Sequence, residues 1–264
     1  LPAANAPPNL DSEAILKLQR TFGYTIEELR MITTPMAEGG YEAIGSMGND
    51  AALAVLSDQN HLLFNYFKQL FAQVTNPPLD AIREELVTSA QSFIGSQQNL
   101  FTETPTHCRQ LKLDSPIITN EELAKIRNSN VLGLKAKTIK SLFQSQSGAG
   151  SLKQALDRLC QQVSEAVKEG YSLIILSDRD TDSSNIPIPS LLATGAIHHH
   201  LIREGTRTKV GLIVESGEPR EVQHFALLIG YGAGAINPYL ALETCSDLSL
   251  NDELSEKDPS HAQE

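Results

Sequence analysis

The sequence predicts an α/β fold: a mostly parallel sheet with helices on both faces, in a Rossmann-like or barrel-like arrangement. Three apolar segments predict strands: residues 171–176, residues 210–214 and a short piece ending at Asn237. Apolar residues three and four positions apart predict helices beside them: 152–167, 189–205 and 219–228. Apolar strands separated by long helices indicate parallel pairing with burial on both faces.

The first half of the chain predicts shorter helices with recognisable starts. Thr25 with Glu28, and Thr119 with Glu122, have the spacing of a capping box, in which each side chain binds a free amide of the first turn. The predicted helices are 12–19, a helix from 26 until Pro35, 62–74 and 121–127. A joint is predicted at 148–150, where two of the three residues are glycines.

Composition at the two ends predicts the domain boundaries. Residues 1–10 hold three prolines and predict a linker, and residues 246–264 predict an acidic tail or linker. The central α/β domain is therefore expected at 11–245. The chain begins with Leu1 rather than Met, which favours a piece of a longer polypeptide.

Charge and cysteine content exclude several classes of protein. There are 21 Lys and Arg against 32 Asp and Glu, a net charge of −11 with a pI near 5.1, so nucleic acid is not an expected partner. No apolar run approaches the roughly 20 residues of a membrane span, so no membrane partner is expected. Cys108, Cys160 and Cys245 are odd in number and far apart, which indicates buried thiols in a reducing compartment.

The predicted strand ends carry the polar residues that could support chemistry. Asp178, Arg179 and Asp180 follow the first strand, and the segment 215–220 follows the second. Parallel α/β folds place their sites at such ends. A carboxylate there could bind a hydroxyl group, but ion pairing with Arg179 or helix capping explains the same residues. In segment 215–220, Pro219 indicates a helix start.

Two further patterns also have a functional and a structural interpretation. The glycines of 230–234 could approach a phosphate, or could form a close turn between packed elements. Their spacing matches no nucleotide-binding motif. His198, His199 and His200 are adjacent, so a helix would spread them around its axis and prevent shared metal binding. One packed and two exposed histidines are expected.

The segment 33–50 is rich in glycine and polar without being charged. An irregular loop of this kind is typical of a surface that another domain covers. The residues of this segment predicted to form an interdomain contact are Thr33, Thr34, Met36, Ser46, Met47, Gly48, Asn49 and Asp50. Its glycines allow close backbone approach. An ordinary surface loop is the alternative.

Long runs of the chain closely resemble the central domain of the glutamate synthase large chain. They are FGYTIEELRMITTPMAEGGYEAIGSMGNDAALAVLSD (22–58), LFNYFKQLFAQVTNPPLDAIREELV (63–87), NLFTETPTHCRQLKLDSPI (99–117), LSDRD (176–180) and VGLIVESGEPREVQHFALLIGYGAGAINPYLALE (210–243). The resemblance covers nearly the whole predicted body.

The resemblance implies a connecting domain within a larger enzyme. Its partners would be a glutaminase domain and an FMN and 3Fe-4S synthase domain of the same polypeptide, with an ammonia tunnel between them. With that resemblance, segment 33–50 is expected to form part of the tunnel wall, because uncharged side chains would let ammonia pass without being trapped as ammonium. Ferredoxin or an NAD(P)H-oxidising small chain would supply electrons, and glutamate would form from glutamine and 2-oxoglutarate. The fold would be an incomplete relative of the flavin-binding β/α barrel. The compartment would be the cytoplasm, or the plastid stroma in a photosynthetic eukaryote.

The chain departs from the parent enzyme wherever catalysis is concerned. Position 1 is Leu, not the cysteine nucleophile of the glutaminase, and the three cysteines are too dispersed to bind an iron–sulfur cluster. No catalytic, cofactor-binding or metal-binding residue is therefore assigned, and no cofactor is expected in this chain. The alternative is a free-standing α/β-barrel enzyme, or a phosphate- or flavin-binding module that uses 177–180 and 230–234. A module that binds 2-oxoglutarate lacks a convergent pair of basic residues in the sequence pattern.

Overall fold

The computed structural model describes residues 1–43, 53–67, 78–144, 148 and 150–250. Its strands are β1 (Ser92–Ile94), β2 (Leu111–Leu113), β3 (Ala136–Lys140), β4 (Leu142–Gln144), β5 (Leu173–Ser177), β6 (Asn185–Pro187), β7 (Gly211–Glu215) and β8 (Ala235–Asn237). Its helices are α1 (Ser12–Thr21), α2 (Ile26–Glu28), α3 (Thr34–Gly39), α4 (Ala81–Val87), α5 (Asn120–Arg127), α6 (Ser151–Lys168), α7 (Ser190–Arg203), α8 (Val222–Gly230) and α9 (Tyr239–Leu250).

A four-stranded parallel sheet organises the fold, in the order β3-β5-β7-β8. Two antiparallel hairpins accompany it, β1 with β2 and β4 with β6. The outer edge of β8 is hydrogen-bonded to residues 116–118. The Ile236 amide donates to the Pro116 carbonyl at 2.7 Å, and the Ile236 carbonyl accepts the Ile118 amide at 2.9 Å. The predicted α/β class with a mostly parallel sheet is confirmed.

The two faces of the sheet are buried by different elements. On the outer face, Ile174, Leu176 and Leu212 pack against α6 and α7, and β7 and β8 also meet α8. On the inner face, Leu173 and Ile213 pack against α5 and the β1–β2 hairpin. A closed barrel would meet further strands on that inner face, and none closes the sheet among the described residues. The structure is therefore consistent with the expected incomplete barrel.

The two ends of the sheet are also covered. At the carboxyl edge, where the strands end at Lys140, Ser177, Glu215 and Asn237, α1, residues 22–24 and α9 pack over the strand ends. At the amino edge lie β1 and residues 95–110, which we term the amino-edge loop. The Gln97 amide donates to the Thr208 carbonyl at 2.7 Å, and the Ser92 hydroxyl donates to the Gly234 carbonyl at 2.9 Å.

Strong local signals placed several elements correctly. Asp11 caps α1, and both predicted capping boxes are formed, at Thr25 and at Thr119. Helix α6 ends just before Gly170, whose φ of 83° favours glycine. Helix α8 begins at Val222, three residues after the predicted start, because the buried turn at 216–221 comes first.

The prediction that Pro35 disturbs the helix from 26 is wrong. After α2 the chain makes a π-helical turn, Leu29–Thr33, and continues as α3 to Gly39. The wider π turn accommodates a proline at the start of the next helix, where no amide donor is needed. The first part of the predicted irregular segment 33–50 is therefore helical.

Weakly patterned elements escaped prediction. Strand β3 lies at the edge of the sheet with only Ile139 buried among its five residues, and so it lacks an apolar run. Strands of three residues, such as β1, are too short to show periodicity. The predicted helix at 62–74 is described only to Phe67, where Leu63–Phe67 is a 3-10 turn.

The carboxyl-terminal boundary also differs from the sequence expectation. Helix α9 extends to Leu250, five residues into the predicted tail, because Ser246 and Leu248 are buried against the body. Residues 251–264 lie outside the described residues.

The hairpin that closes the inner face predicts a glycine requirement. A Cβ on Gly211 would lie 2.8 Å from the Gly95 amide nitrogen and 3.1 Å from Ile94 Cβ. We expect Gly211→Ala to lower the free energy of unfolding by about 1–3 kcal/mol in urea titrations. Gly230→Ala is the matched control, because its Cβ meets open space and should leave stability unchanged or raised. Equal stability of the two variants would contradict the packing described.

Candidate functional site

The predicted tunnel or contact residues are only partly within the described chain. Thr33 is buried at the end of the π turn, and Thr34 and Met36 are half-buried at the start of α3. Helix α3 packs on α9, where Ala37 meets Leu248 and Cys245. Ser46, Met47, Gly48, Asn49 and Asp50 lie outside the described residues.

The three candidate residues that follow β5 lie in three different environments. Asp178 is buried beneath the turn after β7. Arg179 reaches across the sheet edge to Glu215, with Nε 2.8 Å from Oε1. Asp180 faces solvent, where it pairs with Lys140 at 2.7 Å. The three residues therefore do not converge on one ligand.

Glu215, at the carboxyl end of β7, is the centre of a buried ionic group. Only 1% of its side chain is exposed, and both of its oxygens are bound by arginines. Arg127, the last residue of α5, donates to Oε2 at 2.6 Å, and Arg179 donates to Oε1 at 2.8 Å. Arg179 also lies over the Tyr239 ring, 4.4 Å from its centroid. Each oxygen of this carboxylate therefore accepts a charge-assisted hydrogen bond within the protein.

A chain of amides extends this ionic group toward α9 and the N-terminus. Asn120 accepts from Arg179 at 3.2 Å and from Asn237 at 3.1 Å. Its own amide nitrogen donates to Glu243 at 3.2 Å, and Glu243 accepts the Leu10 amide at 3.2 Å. Five elements distant in sequence thereby meet in one network.

Among the residues that the structure describes, Asp178 has no cationic partner. Its carboxylate accepts from the Ser216 hydroxyl at 2.6 Å and from the Gly217 amide at 3.1 Å. Burial raises the pKa of this carboxyl to about 7, although the two hydrogen bonds oppose the change. The nearby Tyr239 hydroxyl has its pKa raised by burial and forms no geometrically sound hydrogen bond among the described residues.

Arg220 fastens the N-terminal segment over this edge. Its buried guanidinium donates to the Gly23 carbonyl at 3.0 Å and to Glu28 at 3.1 Å, and it lies 4.1 Å from the Tyr24 ring centroid. A Cβ on Gly217 would lie 2.6 Å from the Phe22 ring, so only glycine lets that ring approach. The carboxyl ends of β5, β7 and β8 are thus covered by protein.

Histidines also serve packing in this part of the structure. His224 stacks on Phe64 with ring centroids 4.4 Å apart, and burial lowers its pKa to about 3, so it is neutral. In the adjacent triplet, His198 accepts from Arg207 at 3.0 Å and His200 lies 2.8 Å from the Ser164 hydroxyl, while His199 is exposed. The expectation of one packed histidine was wrong, because two are held between elements.

The glycine segment 230–234 precedes β8, so it lies at the amino edge and not at a strand end. A Cβ on Gly232 would lie 2.3 Å from His198 Nδ1, and one on Gly234 would lie 2.6 Å from Ile94 Cγ2. These contacts identify the segment as a close turn between a helix and a strand, which was one of its two interpretations.

The candidate metal ligands, the cysteines and the longer helices were also compared with the sequence expectations. No cluster of three His, Cys, Asp or Glu side chains there could hold a metal ion. Cys160 and Cys245 are half-buried, but Cys108 is exposed on the amino-edge loop, contrary to the expectation of buried thiols. None of the described helices has both the length and the apolar character that a bilayer crossing demands.

Comparison with known proteins decides the family. The profile described as "Glutamate synthase central domain" matches residues 17–263. The chain belongs to the glutamate synthase central-domain family. The chain resembles the NADPH glutamate synthase large chain of Bacillus subtilis (50% identity, 87% of this chain, 15% of that protein) and the NADH glutamate synthase of Schizosaccharomyces pombe (45%, 94% and 12%). It also resembles the chloroplastic ferredoxin-dependent enzyme of Oryza sativa (42%, 92% and 15%).

This central domain therefore spans only about an eighth to a seventh of the relatives' length.

The arginine partners of Glu215 were missed by sequence reasoning because they lie 88 and 36 residues away. A partial signal existed, since Glu215 itself was recognised at a strand end.

The ionic group at Glu215 predicts a large loss of stability on neutralisation. Glu215→Gln leaves two guanidiniums without a counter-charge, and we expect the free energy of unfolding to fall by about 3 kcal/mol. The matched control is Asp180→Asn, which breaks only the exposed pair with Lys140 and should change little. Urea denaturation followed by circular dichroism measures both. Indistinguishable variants would contradict the assigned role of Glu215.

The raised pKa of Asp178 predicts a pH-dependent effect. Between pH 4 and 7 the unfolded chain has lost this proton while the native carboxyl keeps it, so the group destabilises the native state as pH rises. Asp178→Asn removes that contribution. Its free energy of unfolding relative to the parent sequence should rise with pH by up to about 1.4 kcal/mol per unit. Denaturation curves from pH 4.5 to 7.5 test this, and a constant difference would contradict it.

Proposed function

We propose that this domain is a non-catalytic connector inside a glutamate synthase large chain. It would join the glutaminase domain to the FMN and 3Fe-4S synthase domain, and contribute to the wall of the tunnel that carries ammonia between them. Support comes from the family assignment and from the small share of the relatives' length that the chain covers. Glutamate formation belongs to the whole polypeptide in this proposal.

The observation that carries the non-catalytic role is the covering of the carboxyl ends of β5, β7 and β8. Parallel α/β barrels use this edge for catalysis because loops there leave an open pocket. In the described residues of this chain, Glu215 is paired with Arg127 and Arg179. Arg220 donates to the Phe22 carbonyl and the Tyr24 hydroxyl donates to the Gly217 carbonyl, so the N-terminal segment covers the turn after β7. Such an arrangement favours rigidity over substrate binding.

The relatives are named for different electron donors, which supports a position of this domain away from the site where the donor binds. Enzymes named for NADPH, NADH and ferredoxin match this chain at 50, 45 and 42% identity. A domain in contact with the electron donor would be expected to differ among them more strongly. The proposed partners are therefore the flanking domains, with ferredoxin or an NAD(P)H-oxidising small chain acting elsewhere. The proposed compartment is the cytoplasm or the plastid stroma.

The tunnel-wall assignment is proposed for the start of α3 and the segment after it. Thr34 and Met36 are uncharged and half-buried, so their remaining surface is available to a neighbouring domain. Neutral side chains suit the passage of ammonia because a nearby carboxylate would favour its protonated form.

Blocking this wall should uncouple the two half-reactions of the intact enzyme. We expect Thr34→Phe in the complete large chain to lower glutamine-dependent glutamate formation several-fold, while glutaminase turnover and activity with added ammonia persist. Thr88→Phe is the matched control, since Thr88 is an exposed threonine at the end of α4. The ratio of glutamine consumed to glutamate formed is the measurement. An unchanged ratio with Thr34→Phe would contradict the tunnel-wall assignment, and only the connector role would remain proposed.

A further inference from the structure

The tip of the amino-edge loop carries two large apolar side chains in water. Leu100 is 92% exposed and Phe101 is 96% exposed. Adjacent apolar residues this exposed are typical of a surface that another protein covers. Leu132 is also exposed, on the turn whose Gly133 meets Arg109 at the base of the loop.

The loop holds this pair in a fixed position. The Asn99 side chain accepts the Phe101 amide at 3.0 Å, and the Asn99 carbonyl accepts the Thr102 amide and hydroxyl, each at 3.1 Å. His107 Nε2 donates to the same carbonyl at 3.0 Å, and the Thr104 amide donates to His107 Nδ1 at 3.2 Å. A surface ordered in advance loses little conformational entropy on binding.

Two cations without partners lie at the base of the loop. A cleft of about 470 Å³ there is lined by residues that include Gln97, Arg109 and Lys209, and no Asp or Glu lines it. Among the described residues, neither the Arg109 nor the Lys209 side chain makes an ion pair or hydrogen bond. Arg109 is nevertheless anchored, because its methylene groups pack on Gly133, where a Cβ would lie 3.4 Å from Arg109 Cδ. Unpaired cations in a chain of net charge −11 indicate an acidic partner.

We propose that the amino-edge loop docks on another domain of the same polypeptide. Leu100 and Phe101 enter an apolar pocket of that domain, and Arg109 and Lys209 pair with carboxylates at its rim. An apolar anchor with a charged border is the usual anatomy of a protein interface. This inference rests on the proposed function, in which the chain is an internal part of a longer protein. The relatives' length leaves most of such a polypeptide available as the partner.

Hydroxyl-radical labelling read by mass spectrometry tests the docking. Leu100 and Phe101 should be labelled at least tenfold more slowly in the intact large chain than in the isolated 264-residue chain. Arg109→Glu in the intact chain should raise their labelling several-fold by repelling the acidic rim. Lys153→Glu is the matched control, because Lys153 is an exposed lysine on α6 and its reversal should change nothing.

Each other outcome overturns the proposal. Equal labelling in both proteins means that nothing covers the loop. Protection in the isolated chain that grows with its concentration identifies a second copy as the partner. Protection of the isolated loop by added phosphate, lost in Arg109→Glu, identifies a small-anion site. The ratio of glutamine consumed to glutamate formed is independent of this labelling, so failure of the docking and failure of the tunnel wall are distinguishable.

Discussion

Glu215 and its two arginines set the arrangement on which the rest of this domain depends. The carboxylate joins the ends of α5 and β5 to β7, and Asn120 extends the contact to β8 and α9. Leu10 and Arg220 then fasten the N-terminal segment across the same edge. Burying these charges is costly unless each is paired, so the elements that supply the partners must assemble together.

This network supports the proposal that a barrel-like fold serves here as a connector and not as a catalyst. The carboxyl edge of a parallel sheet is polar because strand ends leave backbone groups to be bonded, and barrel enzymes use that polarity to bind substrate. In this domain, the polar side chains at these strand ends bind one another. Asp178 illustrates the result: it is buried, it accepts two hydrogen bonds from the turn after β7, and Phe22 and Tyr24 pack above that turn.

The sequence predicted the features that depend on interactions between nearby residues, and it did not predict those that depend on residues far apart in the chain. The capping boxes at Thr25 and Thr119 and the buried strands β5 and β7 depend on neighbours within a few residues, and they were predicted. Strand β3 was missed because its lysines face solvent at a sheet edge. The partners of Glu215 and Arg220 were missed because no local pattern encodes a contact across 88 or 192 residues. The family resemblance came from long runs of residues, not from any single motif.

We propose that the covered carboxyl ends of β5, β7 and β8 bind no cofactor, and a flavin titration tests this central proposal most directly. FMN added to the 264-residue chain, followed by absorbance and fluorescence, should give no saturable change. Saturable binding with a perturbed flavin spectrum that Glu215→Gln abolishes would place a cofactor at that edge. It would contradict the account of this domain as a connector.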